Sequence, residues 1–155
     1  MYIDKQCTRG YNEYISCDVN NGEGSMMDVA LLIMEDGDTY SFHEEKKEMA
    51  WILFEGKATV TYDGKTVEMD RPNPFDYSTY CLHLCAGGSC TITAHSHCEF
   101  YVQKTYNDKV FENHLYTPEE TDTWRRGADG ACAGCCKRDV RTSFDHEINP
   151  LSNMV

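Results

Sequence analysis

The stretch Lys57–Met69, KATVTYDGKTVEM, contains the clearest local structural signal in this sequence. Two runs rich in Thr and Val flank the dipeptide Asp63-Gly64. An Asp-Gly pair between two such runs predicts a tight β-hairpin, because both central residues of a type I′ turn need positive φ angles. The hairpin therefore indicates that this part of the chain is built from β-strands.

Short apolar runs closed by turn residues continue on both sides of the hairpin. Residues 27–34 (MDVALLIM) and 49–56 (MAWILFEG, closed by Gly56) are near-continuous apolar runs, and residues 38–43 (DTYSFH) alternate. Their length and boundaries favour buried strands over helices. The segment 78–106 predicts two or three further strands, broken by Gly87-Gly88.

Helix signals are confined to residues 117–126, TPEETDTWRR, where Thr117, Pro118 and Glu120 form a capping box that predicts a short helix. Many short strands with little helix predict an all-β fold, with a jelly roll as the natural candidate. We divide the chain into an N-terminal arm (1–26) with one edge strand at NEYISC, a barrel (27–116) and an irregular C-terminal extension (117–155).

Length and composition limit the classes of function. A chain of 155 residues is expected to form one domain with a real core. The net charge of −12 argues against nucleic acid and anionic membranes as partners, and it disfavours small anionic substrates unless a metal or local Arg and Lys offset it. Without an apolar secretory signal, we expect a cytoplasmic protein whose nine cysteines are reduced, several of them as small core residues.

Residues 36–56 have the spacing of the metal motif of cupin β-barrels, G-x5-H-x-H-x3,4-E-x6-G, but almost none of its ligands. Such barrels hold a divalent metal through three His and one carboxylate. Gly37 and Gly56 bound the motif and His43 keeps the first ligand position, but Glu45 and Met49 stand where the second His and the Glu are needed.

The second motif of such barrels, P-x-G-x-x-H, falls at CAGGSC, where Cys85 replaces Pro and Cys90 replaces His. A metal-dependent enzyme is one interpretation, and it requires a convergence of side chains inside one barrel: His43, Glu45, His95 and His97. The alternative is that His43 has a structural or surface role.

The sequence AHSHCE is a second metal candidate. On a strand, His95, His97 and Glu99 point to the same side and form a two-His, one-carboxylate set. The alternative interpretation is a solvated strand face.

Two further clusters lie in the extension. Cys132, Cys135 and Cys136 form a single CxxC-type group, which is half of a zinc site, a redox pair, or a set of incidental loop thiols. Five basic residues either hold an anion, pair with an acidic neighbouring surface, or are simply solvated: Arg125, Arg126, Lys137, Arg138 and Arg141. We also expect Trp51 and Phe54 in the core, residues 44–48 in a solvated turn, and a strand within 137–145.

Several segments together resemble the N-terminal barrel of the 5-deoxy-glucuronate isomerase family. This family belongs to the two-barrel cupins that include 5-keto-4-deoxyuronate isomerase. The segment EMAWILFEGKATVTYDGKTVEM (48–69) resembles its early barrel, and YCLHLCAGGSCTITA (80–94) is similar to a later pair of strands. WRRGADGACAGCCKRDVRT (124–142) resembles its inter-barrel segment, and HEINPLSNMV (146–155) the entry into a second barrel.

This resemblance implies a cupin-like double-stranded β-helix, and aldose–ketose isomerisation of 5-deoxy-glucuronate in inositol catabolism. The family's metal ligands, for an ion such as zinc, lie in the second barrel, so the resemblance assigns no catalytic, metal or cofactor residue to this chain. We therefore expect a scaffold half without its own activity, whose partner is a second barrel or another copy. A stand-alone module that binds a small ligand, such as a sugar acid, or a protein is the alternative.

Overall fold

The computed structural model describes residues 6–18, 24–127 and 130–155, and in these ranges it consists almost entirely of β-strands. The strands are Gly10–Ile15 (β1), Asp28–Met34 (β2), Thr39–His43 (β3), Lys47–Tyr62 (β4), Lys65–Arg71 (β5), Cys81–Leu84 (β6), Ser89–Ala94 (β7), Cys98–Tyr106 (β8), His114–Tyr116 (β9), Asp122–Arg126 (β10) and Arg138–Thr142 (β11). A 3₁₀ turn covers Ala131–Gly134. Within these ranges, no helix has the length and hydrophobicity to span a membrane.

Two antiparallel layers form the barrel and share the strand β4. The first layer has the order β1-β2-β8-β4-β6-β9. In the second layer, β7 pairs with β3 and with β4, and β5 pairs with β4. This arrangement confirms the predicted all-β, cupin-like jelly roll. The predicted hairpin is also confirmed, since Tyr62 pairs with Lys65 and both Asp63 and Gly64 have positive φ.

The apolar run predicted a strand that ends at Gly56, but β4 is longer than this. It continues to Tyr62, because a bulge between Leu53 and Glu55 lets the chain bend from one layer into the other. Gly56 has φ +107°, and a Cβ at this position would lie 2.2 Å from the carbonyl oxygen of His97. Only glycine permits this close approach of the two backbones.

The barrel interior is filled with apolar side chains from both layers. Trp51 lies 4.2 Å from Phe42 and 6.3 Å from Tyr11, measured between ring centroids. Phe100 and Leu32 are fully buried beside them. The prediction that Trp51 is a core residue is confirmed, but Phe54 points outward and stacks on Tyr101, because successive residues of a strand face opposite sides.

The C-terminal extension covers the outer face of the first layer. Ala50 and Cys81 point outward and are buried under Phe144 and Met154, with Tyr116 at the side. Strand β4 is therefore buried on both faces at its start, which explains why its apolar run is continuous rather than alternating. The predicted strand within 137–145 is confirmed as β11.

Two boundary predictions change in the structure. The segment 117–126 forms one turn followed by β10, which pairs with β11, so the predicted helix is wrong. The turn keeps the expected contact, since the Thr117 amide donates to Glu120 Oε2 at 2.9 Å, but β-pairing takes over from Asp122. The N-terminal arm contributes β1 to the first layer, while residues 1–5 and 19–23 of that arm lie outside the described residues.

Candidate functional site

The four ligand positions of the metal motif do not share one side of the barrel. His43 and Glu45 are exposed and contact each other, with His43 Nε2 3.0 Å from Glu45 Oε1. Met49 and Cys90 instead point into the buried core. The described residues of this barrel therefore do not fit a three-His, one-carboxylate metal site.

The metal-enzyme interpretation requires His43, Glu45, His95 and His97 to converge inside one barrel, and the structure does not bring them together there. His95 bonds through Nε2 to Thr59 Oγ1 at 2.6 Å, on the exposed side of the second layer. His97 contacts Glu35 and Glu99 instead. All of these side chains are exposed: His43 ends β3, whereas Glu45, His95 and His97 lie in the connections between strands.

The prediction that AHSHCE is a strand is also wrong. His95 and Ser96 lie in the bend between β7 and β8, so strand alternation does not align His95 with His97 and Glu99. His97 and Glu99 do come together, with His97 Nε2 3.4 Å from Glu99 Oε1. The bend is fixed by Ser96 Oγ, which accepts a hydrogen bond from the Lys57 amide at 2.9 Å.

The imidazole of His97 and the carboxylates of Glu35, Glu55 and Glu99 form a surface cluster. Ligand atoms of Glu55, His97 and Glu99 lie within 4.8 Å of one another, a spacing that can hold a divalent cation. Glu35 Oε1 lies 2.9 Å from His97 Nδ1. The hydrogen bond to Glu35, with that to Glu99, outweighs desolvation and raises the pKa of His97, which lets the protonated imidazole itself balance these carboxylates.

A second acidic cluster already contains a cation from the chain. Ligand atoms of Cys17, Asp18 and Asp28 lie close together, but the buried ammonium of Lys47 bonds both carboxylates, at 2.7 Å to Asp28. Burial alone would lower the pKa of Lys47, and the two carboxylates reverse this and raise it. Lys104 adds a second ammonium 3.7 Å from Asp28, so these charges are balanced without a metal ion.

Sequence reasoning missed a buried pair on the outer face of the first layer. Residues 44–48 were expected in a solvated turn, but Glu48 is 0% exposed and His83 1%, with His83 Nε2 3.0 Å from Glu48 Oε2. Glu48 Oε1 also accepts a hydrogen bond from the Asn153 amide at 2.7 Å. The available signal was the His in the otherwise apolar run CLHL of β6, opposite the apolar run of β4.

This pair connects the barrel to the extension. The ring of His83 lies between Phe111 and Phe144, with centroid distances of 4.7 and 4.2 Å. Asn149 Nδ2 lies 3.3 Å from His83 Nδ1. Both partners are enclosed by protein, so the pair is suited to holding the extension in place rather than to contacting a substrate.

The cysteines divide into buried and surface groups. All nine are free, and four of them, Cys81, Cys85, Cys90 and Cys98, are buried in the way predicted for small core residues. Cys132 and Cys135 are exposed and Cys136 is half-buried, on the loop between β10 and β11. Within the residues the structure describes, no three-ligand metal cluster includes them.

The five basic residues of the extension are distributed over the β10–β11 hairpin and its loop. Arg125 forms a bidentate salt bridge with Asp139, with 2.9 Å from Nε to Oδ1 and 3.2 Å from Nη2 to Oδ2. Arg141 donates to the carbonyl oxygens of Pro74 and Phe75, at 3.0 and 2.9 Å, and thus attaches the hairpin to the loop after β5. Beside Arg141 the hairpin borders a groove of about 370 Å³ on the outer face of the first layer.

The model of the KduI/IolB family matches residues 2–155 of the chain. The chain belongs to the KduI/IolB family. No curated protein sequence matches this KduI/IolB chain. The family's sugar-isomerase-like cupin fold agrees with the architecture described above.

Several solved structures share the fold of this chain. An IolB-like protein of Salmonella typhimurium LT2 matches 95% of this KduI/IolB chain with a TM-score of 0.79 and 17% identity. The protein YlbA of E. coli matches 73% with a TM-score of 0.57 and 13% identity, over 46% of its own length. A cupin protein of Bacteroides fragilis matches 72% with a TM-score of 0.50 and 15% identity, over 91% of its length. The chain spans 55% of the IolB-like protein.

Proposed function

We propose that this chain is the structural half of a two-barrel sugar isomerase that converts 5-deoxy-glucuronate to its keto isomer in cytoplasmic inositol catabolism. In this proposal the chain carries no catalytic site of its own. A second barrel holds a divalent metal such as zinc, which polarises the substrate carbonyl there. The role of this chain is to pack against that barrel, or against another copy, and to stabilise it.

One observation carries the proposal: the place where a cupin holds its metal and substrate is filled here by Trp51, Phe42 and Phe100. Trp51 is only 2% exposed, so no substrate reaches it without opening the barrel. The polar residues of the motif, His43 and Glu45, lie outside. We therefore infer that this barrel stabilises its partner and offers a surface for packing, and that it does not carry out the catalytic step.

The free state of all nine cysteines supports the cytoplasmic part of the proposal. Disulfides are rare in reducing compartments, and the surface thiols Cys132 and Cys135 would be prone to oxidation elsewhere.

The second candidate is a stand-alone binding module. The groove beside Arg141 favours it, because a volume of about 370 Å³ falls within the size range of pockets that bind small molecules. This candidate needs no second barrel.

An isomerase assay on the purified chain tests the proposal, with zinc or manganese added and a full two-barrel relative of proven activity as the control. We expect no turnover above the buffer background from the chain alone. Elemental mass spectrometry on the same samples, with a variant lacking His43 and His95, measures any bound metal. A rate comparable to that of the two-barrel enzyme would contradict the proposal.

A further inference from the structure

The groove on the outer face of the first layer lies outside the barrel interior, and none of the four ligand positions of the metal motif lines it. Its floor is formed by the outward side chains of β4, including Ile52 and Phe54. Phe144 and Arg141 of the extension and Arg71 of β5 also line it. The groove is therefore a mixed surface of apolar and charged side chains.

Arg141 has unused hydrogen-bonding capacity in this groove. Its two hydrogen bonds, to Pro74 O and Phe75 O, use one N–H each of Nη1 and Nη2. Its Nε is buried and has no partner. A guanidinium presents five N–H donors in a planar fork, and a buried donor without an acceptor is unfavourable. Nη1 and Nη2 each donate one hydrogen bond to a carbonyl oxygen and each carry a second N–H, which an acceptor in the groove would satisfy.

Arg71 adds a second positive charge beside Arg141. It is 4% exposed, and its five hydrogen bonds go to carbonyl oxygens and to the Thr79 hydroxyl. Burial and, to a smaller extent, the nearby charge of Arg141 together lower the pKa of Arg71 to about 10. Two positively charged guanidiniums therefore lie close together in this groove.

No carboxylate of the described residues lies within 4.0 Å of either guanidinium. Asp139 lines the same groove, but its two oxygens accept hydrogen bonds from Arg125. The buried Arg71 and the half-buried Arg141 thus form no direct ion pair, although the charge of Asp139 attracts Arg141 at longer range. In a chain with a net charge of −12, this local excess of positive charge is an exception. An anion from outside the chain would supply the missing charge.

We propose that this groove binds a small anion through a carboxylate or phosphate group, held by the guanidinium of Arg141 in the positive field of Arg71. The planar guanidinium fork matches both kinds of oxyanion. Phe54 and Phe144 line the same groove and provide apolar surface for the rest of the ligand. The inference does not depend on the isomerase proposal, because the groove is formed entirely by this chain.

Isothermal titration calorimetry with three probes tests the site: D-glucuronate, inorganic phosphate and neutral D-glucose. We expect D-glucuronate or phosphate to bind at millimolar concentrations and D-glucose not to bind. Tighter binding of D-glucuronate identifies an organic carboxylate as the ligand, and tighter binding of phosphate identifies a phosphate. Equal heats from all three probes, or none from any, would overturn the proposal.

Two variants locate the binding. Arg141→Gln removes the charged fork, and we expect it to weaken binding at least tenfold, whereas Arg126→Gln removes the same charge from the neighbouring strand β10, outside the groove, and should leave the affinity within about twofold. Similar losses in both variants would show a general charge effect and refute the site.

Arg141 also attaches the hairpin to the loop, so its replacement could disturb the fold. Nitrogen-15 NMR on the wild-type protein avoids this problem. We expect the Nε–Hε signal of Arg141 to shift on titration with the bound anion, while that of Arg126 stays constant. An unchanged Arg141 signal at saturating anion would exclude the proposed contact.

Discussion

At the scale of single residues, Glu48 is the side chain whose environment differs most from its residue type. It is a carboxylate with 0% exposure, and its partners are His83 and the backbone of the extension. We expect Glu48→Gln to lower the free energy of unfolding by about 1–3 kcal/mol, because the amide cannot satisfy both partners as the carboxylate does. Urea denaturation measures this loss.

The matched control is Glu45→Gln on the same segment. Glu45 is exposed and contacts only the exposed His43, so its replacement should change the free energy of unfolding by less than about 0.5 kcal/mol. Equal effects of the two substitutions would show that the buried pair does not stabilise the fold.

The same carboxylate gives stability a defined pH dependence. Burial alone would raise the pKa of Glu48, but hydrogen bonds from His83 and Asn153 outweigh it, so the pKa lies below the ordinary value of 4.5. A lowered pKa means that the stabilisation is present above pH 4.5 and is lost as the pH falls below it. We expect unfolding free energies measured across this range to fall more steeply in the wild type than in Glu48→Gln.

These buried charges mark the limit of what the sequence could predict. Lys and Glu are rarely buried unless they are paired, so KKE in residues 46–48 indicated a solvated turn. The partner of Glu48 is 35 residues away in β6, and no local pattern connects the two. His43 is the opposite case, since its spacing matches the metal motif but its side chain is exposed at the end of β3.

At the scale of elements, Gly56 allows β4 to bend between the layers. Alanine there would need positive φ and would also place its Cβ 2.2 Å from His97 O. Gly64 also has positive φ, but nothing lies within 4 Å of the added Cβ. We expect Gly64→Ala to cost about 1 kcal/mol and Gly56→Ala clearly more, measured by thermal unfolding. Equal losses would mean that backbone conformation alone matters at Gly56.

Most strands were predictable because alternation and turn residues are local signals. The Asp63-Gly64 hairpin and the strands around Gly87-Gly88 follow directly from them. The capping box at Thr117 is also a local signal, and it predicted a helix. The pairing of β10 with β11 is not visible in the local sequence, and it makes this segment a strand instead. The groove beside Arg141 combines β4 with the extension, so only the folded chain reveals it.

At the scale of the whole molecule, one cysteine is buried under the extension and another is buried inside the barrel. Burial raises the pKa of both Cys81 and Cys90 to about 12, but Cys81 lies under the extension and Cys90 lies inside the barrel. We expect both to react slowly with a thiol reagent in the folded protein, and Cys132 to react rapidly. Mass spectrometry of labelled peptides measures the three rates.

Loosening the extension should separate the two buried thiols. Because Glu48 holds Asn153, Glu48→Gln is expected to speed the labelling of Cys81 several-fold and that of Cys90 much less. Parallel acceleration of both sites would indicate that the extension and the barrel open together.

One continuous strand, β4, pairs with β8 and β6 in its first part and with β5 and β7 in its second part. Neither layer can therefore lose its pairing without disturbing the backbone of the other. The barrel should behave as one cooperative unit, in which amide hydrogens of Trp51 and Val60 exchange with deuterium through the same global opening. A single length of chain that bends at one glycine thus couples the stability of the two layers.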